Sequence, residues 1–370
     1  MIRALFKYSF LLLSILSAVG LGMSRVIPNI NPFEQSIIGI LGLVTPVLAL
    51  INLFFIFFWL IARKYFFILI PFSAIVISWK VFSVLMGGHY FCKQDFSTPG
   101  HFSLASYNVR LLDLYHWSGK PDTRNQMIDY FRKLNPSILC LQEFYNGNDS
   151  VGVDNLRAIR EACGYEYAAE CPVNENKRGK WGHVIFSHYP IIYQQGHDID
   201  ARGNNLLQQA DILINQDTIS VFNLHLKSNR FDAAETQFVT TGETENNSND
   251  AFSKTKAIYS KLERSSINRG LEATQVSKLV SKSKHPVIIC GDLNDIPSSY
   301  VYFKIRNRLQ DAFLKKGKGL GATFNQRISL LRIDYIFCSE KIKVKAFRID
   351  PETFSDHFPL IANFEMNKKK

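Results

Sequence analysis

Between Glu34 and Arg63 the chain runs for 28 residues without a charged side chain, from Gln35 to Ala62. About 20 apolar residues suffice to cross the hydrocarbon of a bilayer. Nothing else in the sequence restricts folding so tightly, because a helix that is apolar on every side must be buried in lipid or inside a large partner. Two further apolar runs flank it. One has 17 uncharged residues between Lys7 and Arg25; the other has 15 between Lys64 and Lys80 and continues as VFSVLMGG. Residues 1–90 hold six Lys/Arg and one acid, Glu34, whereas residues 91–370 hold 37 basic and 31 acidic residues. The chain therefore reads as two unlike parts, which excludes a disordered chain, a small disulfide scaffold and a simple cytosolic enzyme.

The apolar part predicts a bundle of about three transmembrane helices, at about 8–24, 37–61 and 66–87. Pro46 and Pro71 are compatible with that, since membrane helices tolerate proline. Lys80 must snorkel or face a neighbouring helix. The first run is short enough to read also as a signal-peptide core with SAVG as a weak cleavage site, but the spans that follow favour a retained helix. Arg3 and Lys7 precede the first run, and Arg63 and Lys64 lie between the second and third. The positive-inside rule places both groups in the cytoplasm. The expectation is an integral protein of a plasma or inner membrane, with residues 91 onward on the non-cytoplasmic side.

After a linker at 91–101 the texture changes to short apolar strands separated by polar loops. SLASYNV, SILCLQE, HVIFSH, ADILI, TISVFNLHL, PVIICGDLN, RIDYIFCS and LIANFEM all read as strands. Thr123–Leu134, Asn155–Cys163 and Leu271–Ser281 have helical periodicity. Many strands with interspersed helices predict an α/β domain over 102–366, a layered sheet core with helices outside. Residues 231–269 are polar and helix-weak, and read as a mobile insertion with a possible helix at Lys254–Arg264. Cys163 and Cys171 are near enough in sequence to pair in an oxidising compartment; no Cys/His zinc spacing occurs.

Chemistry-bearing residues share one placement, at or just past the end of an apolar strand: Asn108, Glu143, His225, Asp292 and Asn294. Asp334 lies within RIDYIF, and Asp356–His357 open the last strand. Strand ends are where a layered fold collects a site. An amide, several carboxylates and two histidines at one rim suit a hard cation such as Mg²⁺, which neutralises phosphoryl charge while a carboxylate orients water and a histidine handles a proton.

The motifs SYNVR, LQE, GHVIFSHYPI, FNLHL, GDLND, RIDYIF and SDHFPL, in this order, resemble those of the endonuclease/exonuclease/phosphatase superfamily, deoxyribonuclease I-like. The resemblance covers about residues 102–366. It implies a four-layered α/β/β/α sandwich and a metal-dependent hydrolase acting on phosphoester bonds. It further implies that Glu143, helped by Asn108, is the main Mg²⁺ ligand, with Mn²⁺ as a possible substitute and Asp356 contributing. Asp292 would activate water, Asn294 would hold Asp292 and the phosphate, and His357, positioned by Asp334, would bind or protonate the phosphate. His225 would stabilise the transition state or act as general acid. Arg110, Lys227 and Arg230 would frame the substrate, while His183 reads as structural or as a substrate wall. The substrate is a phosphoester, nucleic acid or phospholipid; beyond the bilayer no protein partner is expected. A nuclease wants a broad basic surface, and the domain's net charge of +6 permits one. A lipid phosphodiesterase or phosphatase would explain the membrane spans. A non-catalytic binding protein on the same fold would predict eroded motif positions, and none of the seven is eroded.

Overall fold

The computed structural model describes residues 2–92, 94, 96, 98, 100–148, 152–200, 205–229, 248–325 and 331–367. The chain divides into two compact units. One comprises Met1–Leu85, Thr244–Leu271 and Asp295–Lys304; the other comprises Met86–Glu243, Glu272–Asn294 and Ile305–Lys370.

In the first unit, helices α1 (Ile2–Met23), α2 (Ile37–Ile61) and α3 (Tyr65–Ile77) pack around Ala18, Leu21, Ala49, Ala74 and Ile75. Small residues let these backbones approach closely. The polar side chains point inward. Asn52 is fully buried and donates to the Ser17 and Leu48 carbonyls, and the Trp59 indole donates to Ser14 Oγ. Large apolar residues point outward, among them Leu12, Leu16, Val47, Leu50, Phe54 and Phe57. Two helices, Leu5–Asn29 and Ile37–Ile61, are long and apolar enough to cross a membrane. The third span expected at 66–87 is divided. The α3 helix has 13 residues, ends at Ile77, and is followed after Ser78 by a single turn at Trp79–Phe82. At 1.5 Å per residue α3 covers about 20 Å, short of the roughly 30 Å hydrocarbon layer.

The remainder of this unit was not legible as part of it. Ile27 and Ile38 enclose Tyr300, Asn31 Nδ2 donates to the Gly270 carbonyl, and Ser298 Oγ donates to the Gly42 carbonyl. Arg269 and Asp295 form a buried ion pair at 3.1 Å. Residues 248–269, expected in a mobile insertion, instead belong to one helix of 33 residues, α6 (Ser248–Val280), which also absorbs the helix expected at 271–281. Residues 231–247 lie outside the described residues.

In the second unit the strands are β1 (Phe102–Asn108), β2 (Ile138–Gly147), β3 (Tyr167–Asn176), β4 (Gly179–Ser187), β5 (Ile191–Asp198) and β6 (Leu206–Ile214). They continue as β7 (Asp217–His225), β8 (Val287–Asp292), β9 (Gln310–Asp311), β10 (Asp334–Cys338), β11 (Ile342–Ile349) and β12 (Leu360–Met366). One six-stranded sheet has the order β11-β12-β1-β2-β4-β3, the other β9-β10-β8-β7-β6-β5. Only β1–β2 and β7–β8 run parallel. Leu104, Ile138, Cys140 and Ile185 of the first sheet meet Ile212, Val221, Ile288 and Ile336 of the second, so an apolar core separates them. The other face of the first sheet, with Ala105, Tyr107 and Phe186, is covered by α4 (Thr123–Leu134) and α5 (Asn155–Cys163) through Met127, Phe131 and Ile159.

The apolar core gives way to buried amides toward one end. Gln142 donates to Ser106 Oγ and to Asn223 Oδ1 at 2.6 Å; Asn223 donates to the Leu141 carbonyl and to Gln208 Oε1. The bonds from Gln142 to Asn223 and from Asn223 to Leu141 cross between the sheets and fix their relative position, since each group left unpaired would cost about 1–3 kcal/mol.

Within the linker expected at 91–101, Gln94 donates to the Lys316 carbonyl and accepts from Phe347 N. All six cysteines are free, with Cys163 and Cys171 each buried, so the suggested pair is not formed.

Candidate active site

Backbone register gathers the site. His225 of β7 is the cross-strand partner of Asp292 of β8, and Asp292 is the partner of Asp334 of β10. Asn108 ends β1 beside Gln142 of β2. Three residues far apart in sequence therefore stand abreast across one sheet, and two more across the other.

Local backbone then aims them. The β2–β4 pairing slips between Leu141 and Phe144, a bulge in which Glu143 takes a left-handed conformation (φ 48°). Bulges re-aim a side chain, and strain of this kind is concentrated at functional sites. Gly291 (φ 135°) precedes Asp292; a Cβ there would lie 2.0 Å from the Leu224 carbonyl oxygen, so only glycine lets β8 pass β7 at this point. Asn294 is left-handed too (φ 50°), and its N–H returns to Asp292 Oδ1 at 2.7 Å.

Asp292 is the hub. Its side chain is 1% exposed. Oδ2 accepts from Asn294 Nδ2 at 3.2 Å and from Asn108 Nδ2 at 3.3 Å, and lies 3.5 Å from His225 Nε2 and 3.6 Å from His357 Nε2. The other nitrogen of His357, Nδ1, lies 2.9 Å from Asp334 Oδ2. Asp334 is held in turn by Thr323 Oγ1, which accepts its backbone N–H, and Phe324 packs edge-on against the His357 ring. Glu143 Oε1 accepts from Asn108 Nδ2 at 3.0 Å and lies 3.5 Å from His225 Nε2.

The charge states follow. Burial disfavours a charged imidazole, but Asp334 and Asp292 at its two nitrogens overcome this and raise His357 to about 10. Burial drives the Asp292 carboxyl up to about 6, with Asp334 reinforcing the rise and His357 opposing it. Burial also pushes Glu143 upward, yet His225, the Asn108 amide, His357 and Arg110 outweigh it and hold the carboxyl below its ordinary value. Adjacent carboxylates are thus pushed apart, one toward neutral pH and one kept ionised, the pattern of divided acid–base roles.

Glu143 is the carboxylate best suited to a hard cation, being held ionised and 34% exposed. Asn108 as placed turns its amine toward Glu143 and Asp292 and its oxygen toward Arg110 N, so it positions these carboxylates. Asp356 lies 3.5 Å from Arg110 Nε. Asp292, Asp334 and His357 also bring one ligand atom each within 4.8 Å of the others. Both His357 nitrogens already face carboxylates, Asp334 at Nδ1 and Asp292 at Nε2.

Lys227 enters through its backbone, donating its N–H to Glu272 Oε2; Glu272 also accepts from Asn205, whose amide donates to the His225 carbonyl. Arg230 lies outside the described residues. His183 is buried, and burial lowers it to about 3; Nε2 reaches the Leu206 carbonyl, a structural placement. Thr323, Phe324, Asn205 and Glu272 gave no signal in the sequence, because they lie in polar or mixed stretches without strand periodicity.

The profile of the Endonuclease/Exonuclease/phosphatase family matches residues 105–357. The chain belongs to the endonuclease/exonuclease/phosphatase family. Members of this family are phosphoester hydrolases, and the site just described occupies the matched span. Residues 7–85 match a second profile, Domain of unknown function (DUF8431). Among solved structures, an endonuclease/exonuclease/phosphatase from Bacteroides vulgatus has a TM-score of 0.53 at 15% identity, covering 72% of this chain and 99% of that one. A family protein from Bacteroides thetaiotaomicron has a TM-score of 0.52 at 16% identity, covering 72% and 95%. A functionally unknown conserved protein from Enterococcus faecalis V583 has 0.52 at 14%, covering 71% and 99%. At these identities the likeness is one of fold. No curated protein matches the chain.

Proposed function

We propose that the chain is a membrane-anchored, Mg²⁺-dependent phosphoester hydrolase, nuclease-like, that directs water onto a phosphodiester or phosphomonoester. The observation that carries the hydrolase reading is Asp292, a buried carboxylate raised to about 6 and bracketed by two histidines. A base with a pKa near working pH is suited to orient water and accept its proton. Asn294 fixes the rotamer of Asp292 through its backbone and side-chain amides. His357, kept protonated and oriented by Asp334, faces developing phosphoryl charge as a donor; preorganised donors of this kind are usually the largest catalytic term. His225 provides a second donor beside Glu143 and Asp292. Glu143 would hold the cation, with Asp356 at the rim. When bound, Mg²⁺, or Mn²⁺ in its place, neutralises charge on the phosphoryl group.

Membrane anchoring rests on the inverted bundle, with Asn52 and Ser14 inside and large apolar side chains outside. Exposed apolar area of that extent is rare on soluble proteins. The non-cytoplasmic placement rests on Arg3, Lys7, Arg63 and Lys64, which the positive-inside rule puts in the cytoplasm. A lipid phosphodiesterase is the second reading. It is favoured by the two long apolar helices, Leu5–Asn29 and Ile37–Ile61, which would keep a hydrolase near a lipid substrate.

The test is a panel of plasmid DNA, RNA, sphingomyelin, phosphoinositides and a bis-aryl phosphodiester, offered to the full chain in detergent with Mg²⁺ and with EDTA. Hydrolysis that survives EDTA, or Glu143→Ala and Asp292→Ala variants at wild-type rates, would refute the mechanism. Protease protection of the C-terminal domain in intact cells would refute the topology.

A further inference from the structure

Immediately after Asn108 the backbone adopts left-handed conformations at four successive residues, Arg110 (φ 43°), Leu111 (57°), Leu112 (52°) and Asp113 (59°). Each non-glycine residue in this region costs of order 1–3 kcal/mol and persists only where its surroundings impose it. The restraint comes from Asp113 and its partners. Asp113 is buried, accepts from Ser118 N at 3.0 Å, and accepts from Ser118 Oγ, which also meets Thr123 Oγ1 at 2.8 Å. The loop so fixed displays Tyr115 at 58% and Trp117 at 46% exposure, with ring centroids 5.0 Å apart. The Arg110 guanidinium lies 4.7 Å from the Trp117 ring centre and 3.5 Å from Asp356, and its charge contributes to keeping Glu143 ionised.

We propose that Arg110, Tyr115 and Trp117 form a substrate subsite that binds a planar ring attached to the scissile phosphoester, a nucleobase, with Arg110 contacting the phosphate. This deepens, and rests on, the hydrolase reading above. A cation in contact with a carboxylate of the site and with an exposed indole makes a surface with one charged and one flat half. A nucleotide matches both halves. Aromatic side chains stack on every base, and Arg adds a cation–π contribution. The turn YHWSGK carries no aliphatic side chain, and its aromatic rims bear a hydroxyl and an indole N–H. An acyl chain gains only from contact area and would leave those groups unused.

The full chain in detergent with Mg²⁺ would be given a dithymidine monophosphate and the same compound with an abasic sugar in place of one nucleoside, tested at either end. Wild type should favour the base-bearing compound. In Trp117→Ala and Tyr115→Ala the ratio of kcat/KM between the two compounds should fall about 10- to 100-fold, the effect of one lost stack. Trp117→Phe should keep most of the preference. Equal losses on both compounds would overturn the subsite in favour of loop support. An unaltered ratio would overturn it outright, as would a Trp117→Ala loss confined to phospholipid vesicles, which would assign the rings to a membrane surface. If wild type cleaves neither these compounds nor any member of the substrate panel, quenching of tryptophan fluorescence by the dinucleotide, absent in Trp117→Phe, would retain the subsite while removing the hydrolase reading. Absence of quenching as well would remove both.

Discussion

Asp334→Asn isolates the electrostatic work done on His357. The imidazole is buried and should resist protonation, yet it is raised from an ordinary 6.5 to about 10, with Asp334 as the foremost raising partner and Asp292 the second. At 1.36 kcal/mol per unit this is roughly 5 kcal/mol of preference for the imidazolium. Asparagine keeps the shape but removes the charge 2.9 Å from Nδ1. Asp292, 3.6 Å from Nε2, remains as the principal support while the burial penalty is unchanged. His357 should therefore lose about two units or more. The amide can also present N–H₂ to Nδ1 and select the wrong tautomer. The expected loss in kcat is about 10²- to 10⁴-fold. The assay is kcat against pH on the best substrate of the panel, with histidine ring resonances followed by NMR and that of His357 assigned by its loss in His357→Gln. The alkaline limb and that resonance should move down together. A resonance still titrating near 10, or a rate within threefold of wild type, would refute the assignment of Asp334 as the group that charges His357.

Activity of the wild type should rise as Asp292 ionises through about pH 6 and fall as His357 deprotonates through about pH 10, a bell measured by kcat/KM. The folded pKa of His357 is the raised one, so its stabilising contribution is full below about 6.5 and is lost as pH climbs through about 10; Asp292 is raised as well, so its contribution is full below 3.8 and lost through about 6, the reverse of a salt-bridged carboxylate. Chemical denaturation at stepped pH should therefore show stability declining toward alkaline pH from these two groups. Asp311→Ala leaves the Arg332 guanidinium, 2.8 Å away and likewise buried, without that partner and strips the N–H acceptor for Phe313, so it should cost about 3–5 kcal/mol, whereas the double variant with Arg332→Met should recover part of that loss in the same urea titration. Gly291→Ala drives a methyl into the Leu224 carbonyl at an unfavourable φ; a strong drop in Tm and loss of activity are expected, and a wild-type Tm would refute the close approach of β7 and β8.

Central strands were legible because both of their faces are buried and their apolar runs are continuous; β1, β2, β7, β8 and β12 all lie where SLASYN, SILCLQE, TISVFNLH, PVIICGD and LIANFEM placed them. The strands that escaped notice, β3, β5, β9 and β11, are sheet edges. Edge strands are half-solvated, so their apolar pattern is diluted: β5 is largely exposed, and β3 carries Pro172, which an edge tolerates. The candidate site residues were legible for a related reason. They lie at or beside the ends of buried strands, and polar residues in that position have few uses other than a site.

What the sequence by itself determined was local and compositional: an apolar segment that cannot be soluble alone, a strand-and-helix domain, and the residues Asn108, Glu143, His225, Asp292, Asn294, Asp334 and His357 with their chemical types. What only the tertiary structure decided was relational. Register set His225, Asp292 and Asp334 abreast, a bulge turned Glu143, and a strained loop placed Trp117 against Arg110. The buried amides Gln142, Asn223 and Gln208 found one another across two sheets, and Gly39, Gly42 and Asn31 were matched to Ser266, Ser298 and Gly270. Composition and periodicity report how each residue meets solvent, whereas partners separated by tens to hundreds of residues are chosen by packing, which leaves no periodic trace in the chain.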